Sequence, residues 1–165
     1  MCYTGDILDE SRTKYSLQYY INMAKELEKR GAHIIAIKDM SGLLKPAAAY
    51  KLIKELKNNV GLPIHLHTHD TSGNGVASLL MAAQAGVDIA VNSMAGLTSQ
   101  PALSSVVAAI QRTERESSIN LDDIQKISNY WEDVRPVYGQ FESGLKAGTT
   151  EIYKYEIPGG QYSNL

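Results

Sequence analysis

Over its first two thirds the chain alternates between two spacings of apolar residues. Between residues 16 and 30, Leu17, Tyr20, Ile21, Ala24 and Leu27 fall on one helical face, and Gly31 follows as a stop signal. Residues 33–38 form a short apolar run that ends in polar side chains. Pro46 then stands where a helix favours proline, and Ala49, Ile53, Leu56 and Val60 continue that helix on one face. Gly61 and Pro63 break it. Residues 64–69 predict a second strand, 76–85 a helix closed by Gly86, and 87–91 a third strand.

Strand and helix in alternation, with short Gly/Pro punctuation, mean βα units around a parallel sheet. The pattern fits a closed barrel or an open doubly wound sheet equally well. In both, ligands collect at the carboxyl ends of the strands. Polar clusters stand at three such ends: Lys38 to Gly42, His67 to Asp70, and Asn92 to Gly96. One composite site is therefore expected there. Beyond Gln100 the character changes. Residues 101–112 predict a helix, and Asp122 or Asp123 caps another that runs to about Arg135. Residues 138–165 are rich in Gly and Tyr, show no clear period, and are expected to pack against something else.

Composition narrows the classes. The 165 residues carry a net charge of −2 with both signs interspersed, which argues against a nucleic-acid or polybasic membrane surface. No apolar run approaches the roughly 20 residues of a membrane helix. No secretory leader is evident at the start. Cys2 is the only cysteine, so an intrachain disulfide and a thiolate zinc cage are excluded; it is expected as a small buried strand residue in a reducing setting.

The chemistry centres on histidines. His65, His67 and His69 alternate along one strand and so share a face, about 7 Å apart per step. Two imidazoles so placed can converge on one divalent ion, and nitrogen ligands suit zinc and other transition metals. His67 and His69, at the strand end, are the candidate ligands. His65 lies one layer deeper and His33 at the opposite end, and both are expected to be structural. Thr68 points to the other face. Lys38 ends an apolar strand. In an interior position its amine is desolvated, and the neutral form can add carbon dioxide as a carbamate ligand or act as a Schiff-base nucleophile. It can equally pair with Asp39 or Asp70. Asp70 has three open roles: ligand, partner orienting a histidine, or cap of the loop before Val76. Gly73-Asn74-Gly75 matches neither phosphate-binding fingerprint and is expected to be a turn.

Several strings then occur together and in order. They are Tyr3-Thr4-Gly5-Asp6, Lys14-Tyr15-Ser16-Leu17-Gln18-Tyr19-Tyr20, Ile37-Lys38-Asp39-Met40, His65-Leu66-His67-Thr68-His69-Asp70-Thr71-Ser72-Gly73, Leu97-Thr98-Ser99-Gln100-Pro101 and the stretch from Glu156 to Leu165. Across the whole chain this ensemble resembles the pyruvate carboxylase family in its carboxyltransferase region. The resemblance implies an α/β fold, a TIM-type (β/α)8 barrel seen here over strands five to eight, then an α-helical extension. Residues 1–99 are then the second half of the barrel and 100–165 the start of the extension. Lys38 ends the sixth strand, His67 and His69 the seventh, and Ser93 follows the eighth.

By the same resemblance Lys38 is carboxylated and, with His67 and His69, binds a divalent metal, manganese or zinc. The implied activity is that of a ligase: ATP and biotin serve at other domains, and a carrier domain delivers carboxybiotin. Its carboxyl group passes to pyruvate, giving oxaloacetate. A homotetramer in a bacterial cytoplasm or mitochondrial matrix is implied too. The rivals are the carboxyltransferase subunit of an oxaloacetate decarboxylase or transcarboxylase, an aldol-type lyase of the same barrel superfamily, and an inactive fragment or scaffold.

The departures are specific. The family's fourth metal ligand, an aspartate, and its pyruvate-binding glutamine and arginine belong to the first half of the barrel. Its proton-shuttling threonine lies beyond Leu165. The chain is thus expected to be an excerpt, inactive when isolated. The segment between Gly86 and Ser93 is a few residues shorter than the family pattern, through a gap in the sequence or a shortened eighth strand.

Overall fold

The computed structural model describes residues 1–94, 99–142 and 147–156. Helix α1, Leu17–Lys29, starts at Ser16, whose hydroxyl accepts from the Tyr19 N–H and satisfies one of the free donors of the first turn. Strand β1 is Ile35–Lys38, helix α2 is Pro46–Asn59 with proline in its first turn, and β2 is Ile64–His67. Helix α3, Gly75–Gln84, and β3, Ile89–Ala90, complete the alternation. Helices α4, Leu103–Ile110, and α5, Leu121–Val134, follow. Then come a 3-10 helix, Arg135–Phe141, and a short α6, Ile152–Tyr155.

The strands lie in the order β1-β2-β3 and pair in parallel. Ile35 stands opposite Ile64, Lys38 opposite His67, and His65 opposite Ile89. Residues 1–3, too short to assign from sequence alone, add to the β1 edge: Cys2 bridges Lys38 in parallel, with Tyr3 N–H donating to the Lys38 carbonyl at 2.8 Å. Chain order thus equals spatial order across the sheet. The helices follow suit, with α1 against α2, α2 against α3 and α3 against α4. All of them lie on one face.

That one-sidedness decides which residues are buried. Ile35, Ile37, Ile64 and Leu66 point towards the helices and are essentially inaccessible, packed with Leu52, Ile53, Leu56 and Leu79. Burying each such side chain contributes about 1.5–3 kcal/mol. The alternate positions Ala36, Lys38, His65, His67 and Ile89 share the opposite face, on which none is fully buried. The period-2 reading of the histidines therefore holds, with Thr68 buried on the helix side.

Some boundaries differ from the sequence reading. The strand expected at 87–91 has only Ile89–Ala90 in ladder geometry, although Val91 N–H still donates to the Leu66 carbonyl at 3.0 Å. The α5 cap is Asn120, whose side chain accepts from Asp122 and Asp123 N–H; the two aspartates sit in the first turn instead, where their charge complements the helix dipole. Cys2 is exposed rather than buried. The patternless tail contains the 3-10 helix and α6. Ile152 is fully buried there, and Asn74 Nδ2 donates to the Tyr153 hydroxyl at 2.8 Å, so this segment packs on the loop after β2. Gly96, residues 97–98 of the Leu97–Pro101 run and the motif at 157–165 lie outside the described residues.

Asp88 staples the amino ends of the sheet. Its carboxylate accepts from Ile64 N–H at 2.8 Å and from Lys57 Nζ at 2.9 Å. Burial opposes the anion, but those donors together hold its pKa below the usual carboxylate value. A depressed folded-state pKa adds stability above the ordinary carboxylate range, and this is lost as pH falls through the folded value. Asp88→Ala is therefore expected to cost about 1 kcal/mol at pH 7. The deficit should shrink as pH falls out of the ordinary carboxylate range and through the lower folded value, where the wild-type carboxyl is protonated too. Thermal unfolding of the two proteins at pH 7 and in strong acid checks this.

Candidate metal centre

The site is built by two strand ends and one loop. β1 and β2 place Lys38 and His67 side by side in register. Lys38 Nζ lies over the His67 ring, 3.1 Å from Nδ1 and 3.2 Å from Nε2. His69 continues the alternation just past β2. Its ring stacks on that of His67, with centroids 5.3 Å apart and planes 27° from parallel.

The tautomer of His69 follows from its partner. His69 Nδ1 lies 2.9 Å from the Asp39 carbonyl oxygen, which can only accept. Nδ1 therefore carries the proton and Nε2 presents a lone pair, the arrangement that orients metal-binding imidazoles. His67 is kept neutral by burial first, then by the Lys38 cation and the neighbouring histidines, all of which lower its pKa. Both Nε2 atoms approach the same atom, the side-chain nitrogen of Gln100, at 3.1 and 3.4 Å.

Asp39 organises the turn beneath these groups. It is completely buried, and its carboxylate accepts from the N–H groups of Ser41, Leu43 and Leu44 and from the Thr68 hydroxyl. Four donors account for the anion, and among the described residues no ion pair joins Lys38 to Asp39 or to Asp70. The ion-paired reading of Lys38 is therefore corrected: its nearest polar neighbour is His67. Gly42 completes the turn with φ +73°, and an added Cβ would lie 2.5 Å from the His69 carbonyl oxygen. No side chain fits where this turn passes under the histidine strand.

Asp70 takes the third of its possible roles. Oδ1 accepts from Gly75 N–H at 2.7 Å and closes the loop that starts α3, while burial pushes its pKa up against that hydrogen bond. Gly73, with φ +79°, is the turn expected between them. His65 stays on the same face one step deeper, between Ala36 and Ile89, and His33 is exposed ahead of β1.

Gln100 was not singled out from sequence. The run Leu97–Pro101 carried a resemblance but no chemical role, because nothing in a loop's composition tells where it will fold. Backbone bonds fix that loop. Asp70 N–H donates to the Ser99 carbonyl, Ser93 Oγ to the Gln100 carbonyl and Ser93 N–H to the Pro101 carbonyl, at 2.6, 2.7 and 2.9 Å.

Among the described residues no three His, Cys, Asp or Glu side chains group closely enough to hold a metal. The available donors are two imidazoles whose Nε2 atoms both approach Gln100 Nε2, plus one amine beside them. That set fits a divalent ion at the Nε2 convergence, with further oxygen ligands required.

A family model described as HMGL-like matches residues 6–130. The chain belongs to the HMGL-like family. Its whole length also aligns with pyruvate carboxylases. It is 58% identical to that of Bacillus subtilis over 168 positions, covering 100% of this chain and 15% of the relative. It is 49% identical to mitochondrial pyruvate carboxylase of Homo sapiens, covering 99% and 14%. The chain thus spans about a seventh of the length of these relatives. The carboxyl transferase domain of Rhizobium etli pyruvate carboxylase with pyruvate and biocytin superposes with a TM-score of 0.95 at 54% identity, over 99% of this chain and 28% of that one. A complete multifunctional pyruvate carboxylase from Rhizobium etli gives a TM-score of 0.96, covering 99% and 16%. The resemblance to pyruvate carboxylase read from the motifs is borne out over the whole chain, and the parallel βα units are those of a TIM-type barrel. The open-sheet alternative is set aside.

Proposed function

We propose that this chain supplies most of the metal centre of a biotin-dependent pyruvate carboxylase, with Lys38, His67 and His69 as ligands. The observation that carries the reading is the convergence of His67 and His69 Nε2, with Lys38 Nζ against the same ring. Lys38 serves as a carbamate, whose oxygen anion complements two neutral nitrogen donors. Manganese or zinc held there by Lys38, His67 and His69 would supply positive charge next to a bound 2-oxo acid, where negative charge develops on oxygen.

On this reading residues 1–99 are strands five to eight of the barrel with their helices, and 100–165 begin its helical extension. Ala36, His65 and Ile89 on the open face then line the barrel interior, and the remaining ligand and pyruvate contacts come from segments outside these 165 residues. Carboxybiotin reaches the site on a carrier domain, after an ATP-dependent step elsewhere in a homotetrameric ligase. The relatives span bacterial and mitochondrial enzymes, so cytoplasm or mitochondrial matrix is the proposed location.

The test is oxaloacetate formation from pyruvate and bicarbonate by the intact protein that contains this chain. Activity dependent on both ATP and biotin is expected, and the isolated chain is expected to have none. Transfer independent of ATP would point to an oxaloacetate decarboxylase or transcarboxylase subunit instead. Activity in the isolated chain would contradict the division of the site.

A further inference from the structure

We propose that Gln100 is a positioning residue for the metal centre: its carboxamide hydrogen-bonds the carboxylated form of Lys38 and holds that ligand in place. The proposal rests on the reading of Lys38 as a carbamate. Gln100 Nε2 and Lys38 Nζ lie 3.1 and 3.2 Å from the same atom, His67 Nε2, so the two side chains meet across one ring nitrogen. The carboxamide is oriented, because the Ser99 hydroxyl donates to Gln100 Oε1 at 2.7 Å and the NH2 is left facing the rings. Ser93 Oγ donates to the Gln100 carbonyl and Asp70 N–H to the carbonyl of the preceding Ser99, so the amide is aimed by the fold.

A donor aimed at a cation site has no use for the cation itself; it suits an anionic oxygen beside it. Carboxylation supplies one. The Lys38 amine attacks carbon dioxide, an N–C bond forms, and the amine proton leaves to solvent. The product carries two oxygens sharing one negative charge, about 2.3 Å beyond Nζ by ordinary amide-like bond lengths. One can ligate the ion while the other accepts from Gln100. Hydrogen bonds to charged groups are the stronger kind, and losing a partner that orients a metal ligand typically costs about 10–100-fold in metal affinity.

The test uses the intact protein and reads metal, not turnover. Wild type, Gln100→Met and Ser99→Ala are stripped, then equilibrated with manganese at a series of dissolved carbon dioxide concentrations, and bound metal is measured. Gln100→Met removes the donor at similar length. It should need roughly tenfold or more carbon dioxide for half-loading, and saturating carbon dioxide should restore the full metal content. Ser99→Ala, which only frees Oε1, should shift in the same direction by less. An unshifted carbon dioxide dependence in Gln100→Met would overturn the proposal. So would a metal loss that carbon dioxide does not restore, since that assigns Gln100 to the imidazoles alone. If wild-type loading ignores carbon dioxide altogether, it is the carbamate reading of Lys38 that fails.

Discussion

If His67 is a metal ligand as proposed, His67→Ala in the intact protein is expected to lose the divalent ion, with carboxyl transfer falling by at least about a hundredfold. The magnitude exceeds the 10–100-fold typical of removing a group that merely orients a ligand. His67 is touched by Lys38, by Gln100 and by the ring of His69. It is also only half-buried, on the face of the sheet away from the helices. Its removal should therefore change folding stability by about 1 kcal/mol or less, as for most substitutions outside a packed core. Metal analysis beside a thermal melt separates the two effects. A protein that keeps its metal and its activity would remove His67 from the ligand set.

Asp39→Ala has the largest expected effect on folding. Its carboxylate is fully buried and gathers three backbone N–H groups and the Thr68 hydroxyl. Alanine leaves those donors without an acceptor, at roughly 1–3 kcal/mol for each one that stays unsatisfied. A total of about 4 kcal/mol is expected after partial rescue by water. The backbone carbonyl of the same residue orients His69, so the turn that collapses is also the turn that holds the site. Denaturant unfolding and metal content should fall together. Asp39→Asn keeps one acceptor oxygen and should lose less of both.

Much of the fold could be read from spacing. The apolar stripe from Leu17 to Leu27, Pro46 at a helix start, and histidines at every second position follow from local geometry, and each is found where expected. The metal candidates were legible for the same reason: alternation puts His67 and His69 on one face whatever the rest of the chain does. Gln100 and Asp39 were not legible as partners. Gln100 approaches the histidines only because bonds from Asp70 and Ser93 draw its loop across the strand ends. Asp39 spoke for itself only as a charge near a lysine. Its burial, and hence its turning of the backbone instead of pairing with Lys38, depends on Thr68 and the turn through Leu44. The caps of α5 were misread because Asn120 and the two aspartates compete for one position, and spacing does not choose between them.

Lys38, His67 and His69 are proposed to share one metal ion, and anomalous X-ray density from crystals of the intact protein can locate it. A single peak is expected about 2.0–2.2 Å from both Nε2 atoms, with the Lys38 side chain ending in a carbamate that reaches the same ion. A bare Lys38 amine away from the ion, or a peak that leaves either histidine unbound, would contradict it.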